Sequence, residues 1–381
     1  MINVDDLLQH ELYVERLATG GYRSVVIPAL DDLYFQIKGI IERTDTITTP
    51  QQLASITSQV SQVILSNGMW VTLTEENLTA LAEYEATWTS EYMAQALQTQ
   101  VTAPQRATIT QYVSQAILSL SSGQRTNAGT WADFIQQNLT SQARLVNGLI
   151  TVGYARGETA QQISRTVRRS YDGIIKREAE ALTRTGYAHY QESANNAMIE
   201  DNLDVFQEYY YVITFDNRTS DTCIALDKFN VVGKRFKVQD PKAPQPPLHF
   251  NCRTRRTAVP EGFEPTGSRS AVGGKIGEQA AEEYEKRKDR LRTASQVRYR
   301  GRRDSDVFKA GQIKADTSYA AWLRNQPDWF VKDTLGATRA RLFTQGRLGL
   351  DKFSDMTGRP LTLAELRQRH PTAFDRAGLG D

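Results

Sequence analysis

Apolar residues recur at helical spacing through most of the chain. In "QLASITSQVSQVILS" (52–66), Leu53, Ile56, Val60 and Ile64 fall three or four apart. In "QRATITQYVSQAILS" (105–119), Ile109, Val113 and Ile117 do the same, and the two stretches share "A-x-I-T-x-x-V-S-Q-x-I-L-S". A proline just upstream of each, Pro50 or Pro104, suits a first helical turn. The pattern predicts a duplicated helical hairpin. Between the copies, Leu78, Leu81, Tyr84, Trp88, Tyr92 and Met93 share one broad face of a long helix, as core residues do. Residues 1–150 thus read as a helical scaffold without visible chemistry.

The pattern changes from Gly157. Ala160, Ile163 and Val167 predict a short amphipathic helix, Asp172 and Gly173 a turn, and the following residues a long helix running to about Asn202. "VFQEYYYVITF" is dense in aromatic and β-branched residues, so Phe206 to Phe215 is the strand candidate. Gly233 with "KRFKV" predicts a second short strand, and the prolines of "QDPKAPQPPL" require an extended loop. "PEGFEPTGSRSAVGGKIG" reads as linker. After it the pattern is helical again from Ser318 to Phe374, with Thr362 and Glu365 at capping-box spacing and Pro371 at a helix stop. The fold class is α+β, predominantly α-helical. The expected parts are a helical scaffold over 1–150, a small α+β domain over 151–260, a basic linker over 261–311 and a helical module over 312–381.

Composition adds a compartment and a charge division. Apolar residues make up 40% and charged residues 24% of the chain, as in soluble domains. No apolar stretch is long enough to span a bilayer, and the acidic start "MINVDDLLQHELYVERL" is unlike a signal peptide. A cytoplasm-like compartment follows, where the two cysteines are thiols or ligands, not a disulfide framework. Residues 1–150 hold 7 Lys/Arg against 14 Asp/Glu, a charge of −7; with +2 for the whole chain, the remainder carries +9. Between 286 and 303 the basic residues Lys286, Arg287, Lys288, Arg290, Arg292, Arg298, Arg300, Arg302 and Arg303 face one acidic residue. Such a run can neutralise DNA phosphates without reading sequence, or form a solvated basic helix.

Both cysteines fall within forty residues of one another, in "FDNRTSDTC" and "PPLHFNCRTRR". Asp216, Cys223, His249 and Cys252 are zinc-binding types, and H-x-x-C supplies two ligands from one turn. Three Cys/His donors are one short of a closed site, so Asp216 or His189 would have to complete it. The same residues also read as a buried structural clasp closing a proline-rich loop, and that reading leads. A Cys/His nucleophile needs an orienting group that the sequence does not reveal. Arg218, Arg253, Arg255 and Arg256 either pair with buried carboxylates such as Asp216 or meet phosphate or an acidic partner. Gly273-Gly274-Lys275 lacks the rest of a phosphate-cradling loop.

The order of features over Gly157 to Val259 resembles the phage Mu protein F family of minor head proteins, also called head morphogenesis proteins. The resemblance rests on a helix ending near "LTRTGYAHYQESAN", a strand, "TFDNRTSDTCIALDKF", and "PPLHFNCRTR". Asp216, Arg218, Thr219, Cys223, His249, Cys252 and Arg253 occupy the family's motif positions. Gly186 departs, since many relatives carry an acidic residue after Arg-Thr. The tail "WLRNQPDWFVKDTLGATRARLFTQGRL" also looks like a segment of related phage proteins. The resemblance implies a non-enzymatic virion component, made in the host cytoplasm and residing in the capsid interior near the portal. It would associate with the portal protein and other head proteins, and act in head morphogenesis and in packaging or delivery of double-stranded DNA. Zinc is the cofactor candidate. Two rivals stay open: an effector performing nucleotidyl or ADP-ribosyl transfer on a head domain, and a non-specific DNA-binding protein.

Overall fold

The structure, a computed structural model, describes residues 1–122, 125–275, 282, 308–355 and 359–380. The basic run from 286 to 303 lies outside the described residues. Eight helices precede the central strand: α1 Val4–Gly21, α2 Ile27–Ile41, α3 Pro50–Leu65, α4 Gly68–Leu97, α5 Arg106–Gln115, α6 Trp131–Ala155, α7 Ala160–Ser170 and α8 Lys176–Glu200. A small hairpin, β1 Leu118–Ser122 and β2 Arg125–Gly129, separates α5 from α6. Then come β3 Glu208–Val212, α9 Asp221–Leu226, β4 Arg255–Val259, β5 Ser268–Gly274 and β6 Phe308–Lys314. Among the described residues, short α-helices follow: α10 Tyr319–Arg324, α11 Asp328–Leu335, α12 Ala337–Thr344, α13 Leu363–Arg369 and α14 Pro371–Arg376. The protein is therefore predominantly helical α+β, with two-stranded antiparallel sheets β1-β2, β3-β4 and β5-β6 among the described residues.

Local chemistry explains where helices begin. Thr49 with Gln52, Thr130 with Asp133, Thr159 with Gln162 and Thr362 with Glu365 each form a reciprocal capping box, starting α3, α6, α7 and α13. Each satisfies two backbone donors that a helix start otherwise leaves open. On α4, Leu78, Leu81 and Met93 are buried, Trp88 and Tyr92 are half-buried, and Tyr84 lies exposed at the edge of the stripe.

Four local expectations are corrected. The second copy of the duplication does not stay helical to 119: the helix ends at Gln115, Ala116 takes extended torsions, and Leu118 and Leu120 are buried in alternation with exposed serines. A period of two has replaced the helical period there, and Ile117 is left exposed. Asp172 and Gly173 do not break the chain, because Tyr171–Ile175 forms a π-helical turn that joins α7 to α8 without a loop. "KRFKV" contributes only an isolated bridge, Glu208 to Lys237; the ladder partner of β3 is β4, "RRTAV", in the register Glu208↔Val259 to Val212↔Arg255. The stretch assigned to linker holds β5, whose register with β6 runs Ser268↔Lys314 to Gly274↔Phe308.

Among the described residues the buried apolar side chains form two cores. One core gathers Leu30, Ile37, Val60, Leu78, Val146, Ile163, Tyr171 and their neighbours between α1 and α8. The other joins Ile2, Val4 and Leu7 to Met93, Met198, Tyr210, Phe215, Tyr319, Trp322, Phe330 and Leu342. Helices α1, α4 and α8 are long enough to enter both, so they weld the scaffold to the sheet. A buried polar seam runs where they meet: Glu85 Oε1 lies 2.6 Å from His10 Nε2, and Gln191 Nε2 donates to Glu85 Oε2 at 3.0 Å. His10 also stacks on Trp88, with ring centroids 3.4 Å apart.

Candidate functional site

The strand β3 ends at Val212, and the chain continues through Phe215 into a compact turn built on Asp216. Asp216 Oδ1 accepts the Arg218 backbone N–H at 2.9 Å and the Thr219 hydroxyl at 3.1 Å. Arg253 then closes a two-pronged pair, Nη1 to Oδ2 at 2.6 Å and Nη2 to Oδ1 at 2.8 Å. Burial pushes the Asp216 carboxyl up, but the Arg253 hydrogen bond and charge and the Arg218 N–H outweigh it, leaving it below the usual carboxylate range. Of the two arginines weighed as partners, Arg253 supplies the guanidinium, whereas Arg218 supplies its backbone and leaves its side chain exposed. Asp216 is thereby occupied in bonding the loop and is not a donor to the cysteines.

Ser220 caps α9 by accepting the Cys223 N–H at 3.2 Å, which turns the Cys223 thiol toward the loop that follows the prolines. That loop includes a cis Pro246–Pro247 bond and brings Asn251 through a positive φ of 58°. Its turn places the side chains of His249 and Cys252 together. Cys223 Sγ lies 3.6 Å from Cys252 Sγ and 3.2 Å from His249 Nε2, and all three donor atoms are within 4.8 Å of one another. His249 Nδ1–H donates to the Phe250 carbonyl at 2.9 Å, so Nε2 of the neutral ring offers its lone pair to the sulfurs. The Ser220 hydroxyl lies 2.8 Å from the same nitrogen.

The sulfurs share their acidity unevenly. The hydrogen bond from Cys252, aided by Ser220 and Thr254 and opposed by burial, lowers the Cys223 thiol to about 7. Cys252 moves the other way, because Cys223 and burial both resist a second negative charge. Burial lowers His249, but the Cys252 sulfur more than compensates and raises it. The depressed thiol was not legible in the sequence. It is 2% exposed, and neither of the cavities of about 630 and 550 Å³ is lined by it. His189, the other candidate fourth donor, is buried on α8 outside this cluster; burial lowers its pKa to about 4.

The next two arginines follow on β4, and both reach α8. Arg255 Nη2 reaches Thr89 Oγ1 at 3.1 Å and Asn195 Oδ1 at 3.2 Å, with Glu85 Oε2 3.8 Å from its Nη1. Arg256 Nε donates to Glu192 Oε1 at 2.7 Å and its Nη2 to Asn196 Oδ1 at 2.7 Å, while its guanidinium lies 4.0 Å over the Tyr209 ring. Both are buried, so neither presents a charge to phosphate or to an outside partner. The residues that receive them, Glu192, Asn195 and Asn196, were missed in the sequence. Their three- and four-residue spacing on a helix otherwise lined with small side chains was the available signal.

Residues 145–257 match the sequence model of the family described as phage Mu protein F like protein. This part of the chain is similar to phage Mu protein F. The match relates the protein to phage head proteins, and the motif positions Asp216, Arg218, Thr219, Cys223, His249, Cys252 and Arg253 all fall within it. No curated protein and no solved structure matches the chain. Gly186, the departure from the phage Mu F-like pattern, sits against Trp131: a Cβ there would be 2.6 Å from the ring's Cη2. An acidic side chain has no room at that position while Trp131 of α6 covers it.

Proposed function

We propose that the protein is a minor head protein that docks on the portal, with the phage Mu F-like segment held in shape by a zinc-binding Cys223–His249–Cys252 clasp. The observation that carries this reading is how the matched segment uses its motif: Asp216 and Arg253 bond to each other, and the Cys/His cluster joins α9 to the proline-rich loop. These contacts hold shape between distant parts of the chain. The acidic N-terminal part and basic remainder support a division of partners, with head proteins on one side and DNA phosphates on the other. No described helix is long and apolar enough to cross a membrane.

The donor set fits zinc. Bond lengths of about 2.3 Å to sulfur and about 2.0 Å to nitrogen in a tetrahedron separate sulfurs by about 3.8 Å and sulfur from nitrogen by about 3.5 Å. The spacings of 3.6 and 3.2 Å need only a small expansion. The Nδ1–H bond of His249 to the Phe250 carbonyl turns Nε2 toward the sulfurs, as a metal ligand requires. A fourth ligand, such as water, would have to come from outside these three side chains. Zinc would act here as a cross-link between α9 and the loop.

Co-purification with the portal protein and immunodetection in purified virions test the assignment. Portal association and presence in virions are expected; absence of both overturns it.

A further inference from the structure

A second cavity, of about 550 Å³, lies on the far side of α9, where the 3₁₀ turn Asp227–Asn230 meets the turn Leu350–Lys352 and the junction of α13 with α14. Its floor includes Phe229 and Leu361, and its rim carries Lys228, Lys234, Arg369 and His370. Two carboxylates also border it, but both are engaged: Asp351 Oδ2 is 3.1 Å from Lys352 Nζ, and Asp355 Oδ2 is 3.0 Å from Arg359 Nε. Lys234 and Arg369 have no ion-pair partner among the described residues. Lys228 is the half-buried member of the set, beside the exposed Lys234 and Arg369. Its ammonium donates to two neutral oxygens, Ser354 Oγ at 2.9 Å and the Asp355 carbonyl at 2.6 Å. Burial lowers its pKa despite the carboxylates nearby, so its charge is under-compensated.

We infer that this cavity binds a nucleotide unit, with the phosphate held by Lys228, Lys234, Arg369 and His370 and the apolar body resting on Phe229 and Leu361. Cations from two stretches distant in the chain suit an anion with several oxygens around one centre, which phosphate provides and a planar carboxylate does not. The volume lies in the range of small-molecule sites, roughly 300–1,000 Å³. A bare phosphate would leave the apolar floor uncovered. The phosphate source is either a free nucleotide or a strand of DNA. The inference concerns residues apart from the basic run at 286–303 and stands whether or not the chain docks on a portal.

The test uses the full chain and the variant Lys234→Gln/Arg369→Gln, whose altered side chains are exposed and leave the cores untouched. Titration calorimetry with dAMP and anisotropy of a labelled DNA duplex are read for both proteins, with thermal melting as the check on folding. Tenfold or greater weakening of dAMP binding supports the inference with a free nucleotide as source. A salt slope for the duplex reduced by about two phosphates' worth, at about 0.9 per phosphate, supports it with DNA as source. Equal behaviour of wild type and variant with both probes overturns it. So does wild-type binding of inorganic phosphate as tight as that of dAMP, since the apolar floor would then contribute nothing. Portal association of the variant separates this outcome from failure of the head-protein assignment.

Discussion

At the scale of single residues, Gly186 and Asp216 carry opposite kinds of constraint. Gly186 is needed because Trp131 occupies the space where a side chain would begin. Gly186→Ala is expected to lower stability by about 1–3 kcal/mol through overpacking, measured by urea unfolding, although alanine is the better helix former. An unchanged midpoint would mean that Trp131 moves freely aside. Asp216 is constrained by charge. Its pKa is lowered in the folded chain, so the stability it contributes is fully present above the unfolded value near 4 and is lost as pH falls through the folded value. Asp216→Asn, which leaves the Arg253 guanidinium without its anion, is expected to cost about 3–5 kcal/mol at pH 7. The gap between wild type and variant should narrow below pH 4. A gap independent of pH would assign the effect to geometry instead of charge.

At the scale of elements, β4 is held to α8 and α4 by ion pairs where an apolar strand would rely on packing. Burial raises the Glu192 carboxyl despite Arg256, so removing the arginine would strand or protonate it. Arg256→Met alone is expected to destabilise by about 3–5 kcal/mol, and adding Glu192→Met to recover most of the loss, because two apolar side chains of similar size avoid the cost of burying charge. A double variant as unstable as the single would show that the Asn196 and Tyr209 contacts of Arg256 carry the effect. This pairing explains why β4 escaped sequence pattern reading. "RRTAV" begins with two arginines, and nothing local announces that both will be buried. The helix starts were legible because Thr and Gln, Asp or Glu three residues apart cap a helix by local contacts alone.

At the scale of the whole molecule, the C-terminal helices complete the core that the central strand begins. Tyr319 donates its hydroxyl to the Asp216 carbonyl at 2.7 Å, its N–H bonds to Asp227 Oδ2 at 2.9 Å, and its ring lies 5.1 Å from Phe215. Trp322 packs on the same phenylalanine, with centroids 5.3 Å apart. A chain ending at 307 would expose Phe215 and its neighbours, and is expected to bind a hydrophobic dye and to be cleaved rapidly by protease. Protease resistance equal to the full chain would show the central core to be self-sufficient. The clasp belongs to this scale too, because its three side chains come from segments on either side of the proline-rich loop. One zinc per chain, lost in Cys252→Ser together with several degrees of melting temperature, is expected from metal analysis and calorimetry. Absence of metal from wild-type protein purified without chelator would leave the cluster as packing.

The sequence by itself determined the helical character and the central strand, because periodicity, capping pairs and residue type act over a few positions. The tertiary structure decided what those residues do to each other. It gave Asp216 to Arg253 instead of to a metal, buried Arg255 and Arg256 against α4 and α8, and turned the end of the second helical repeat into a strand. Each of these depends on a partner distant in the chain, and the desolvation that makes a partner obligatory exists only once the chain has folded around it.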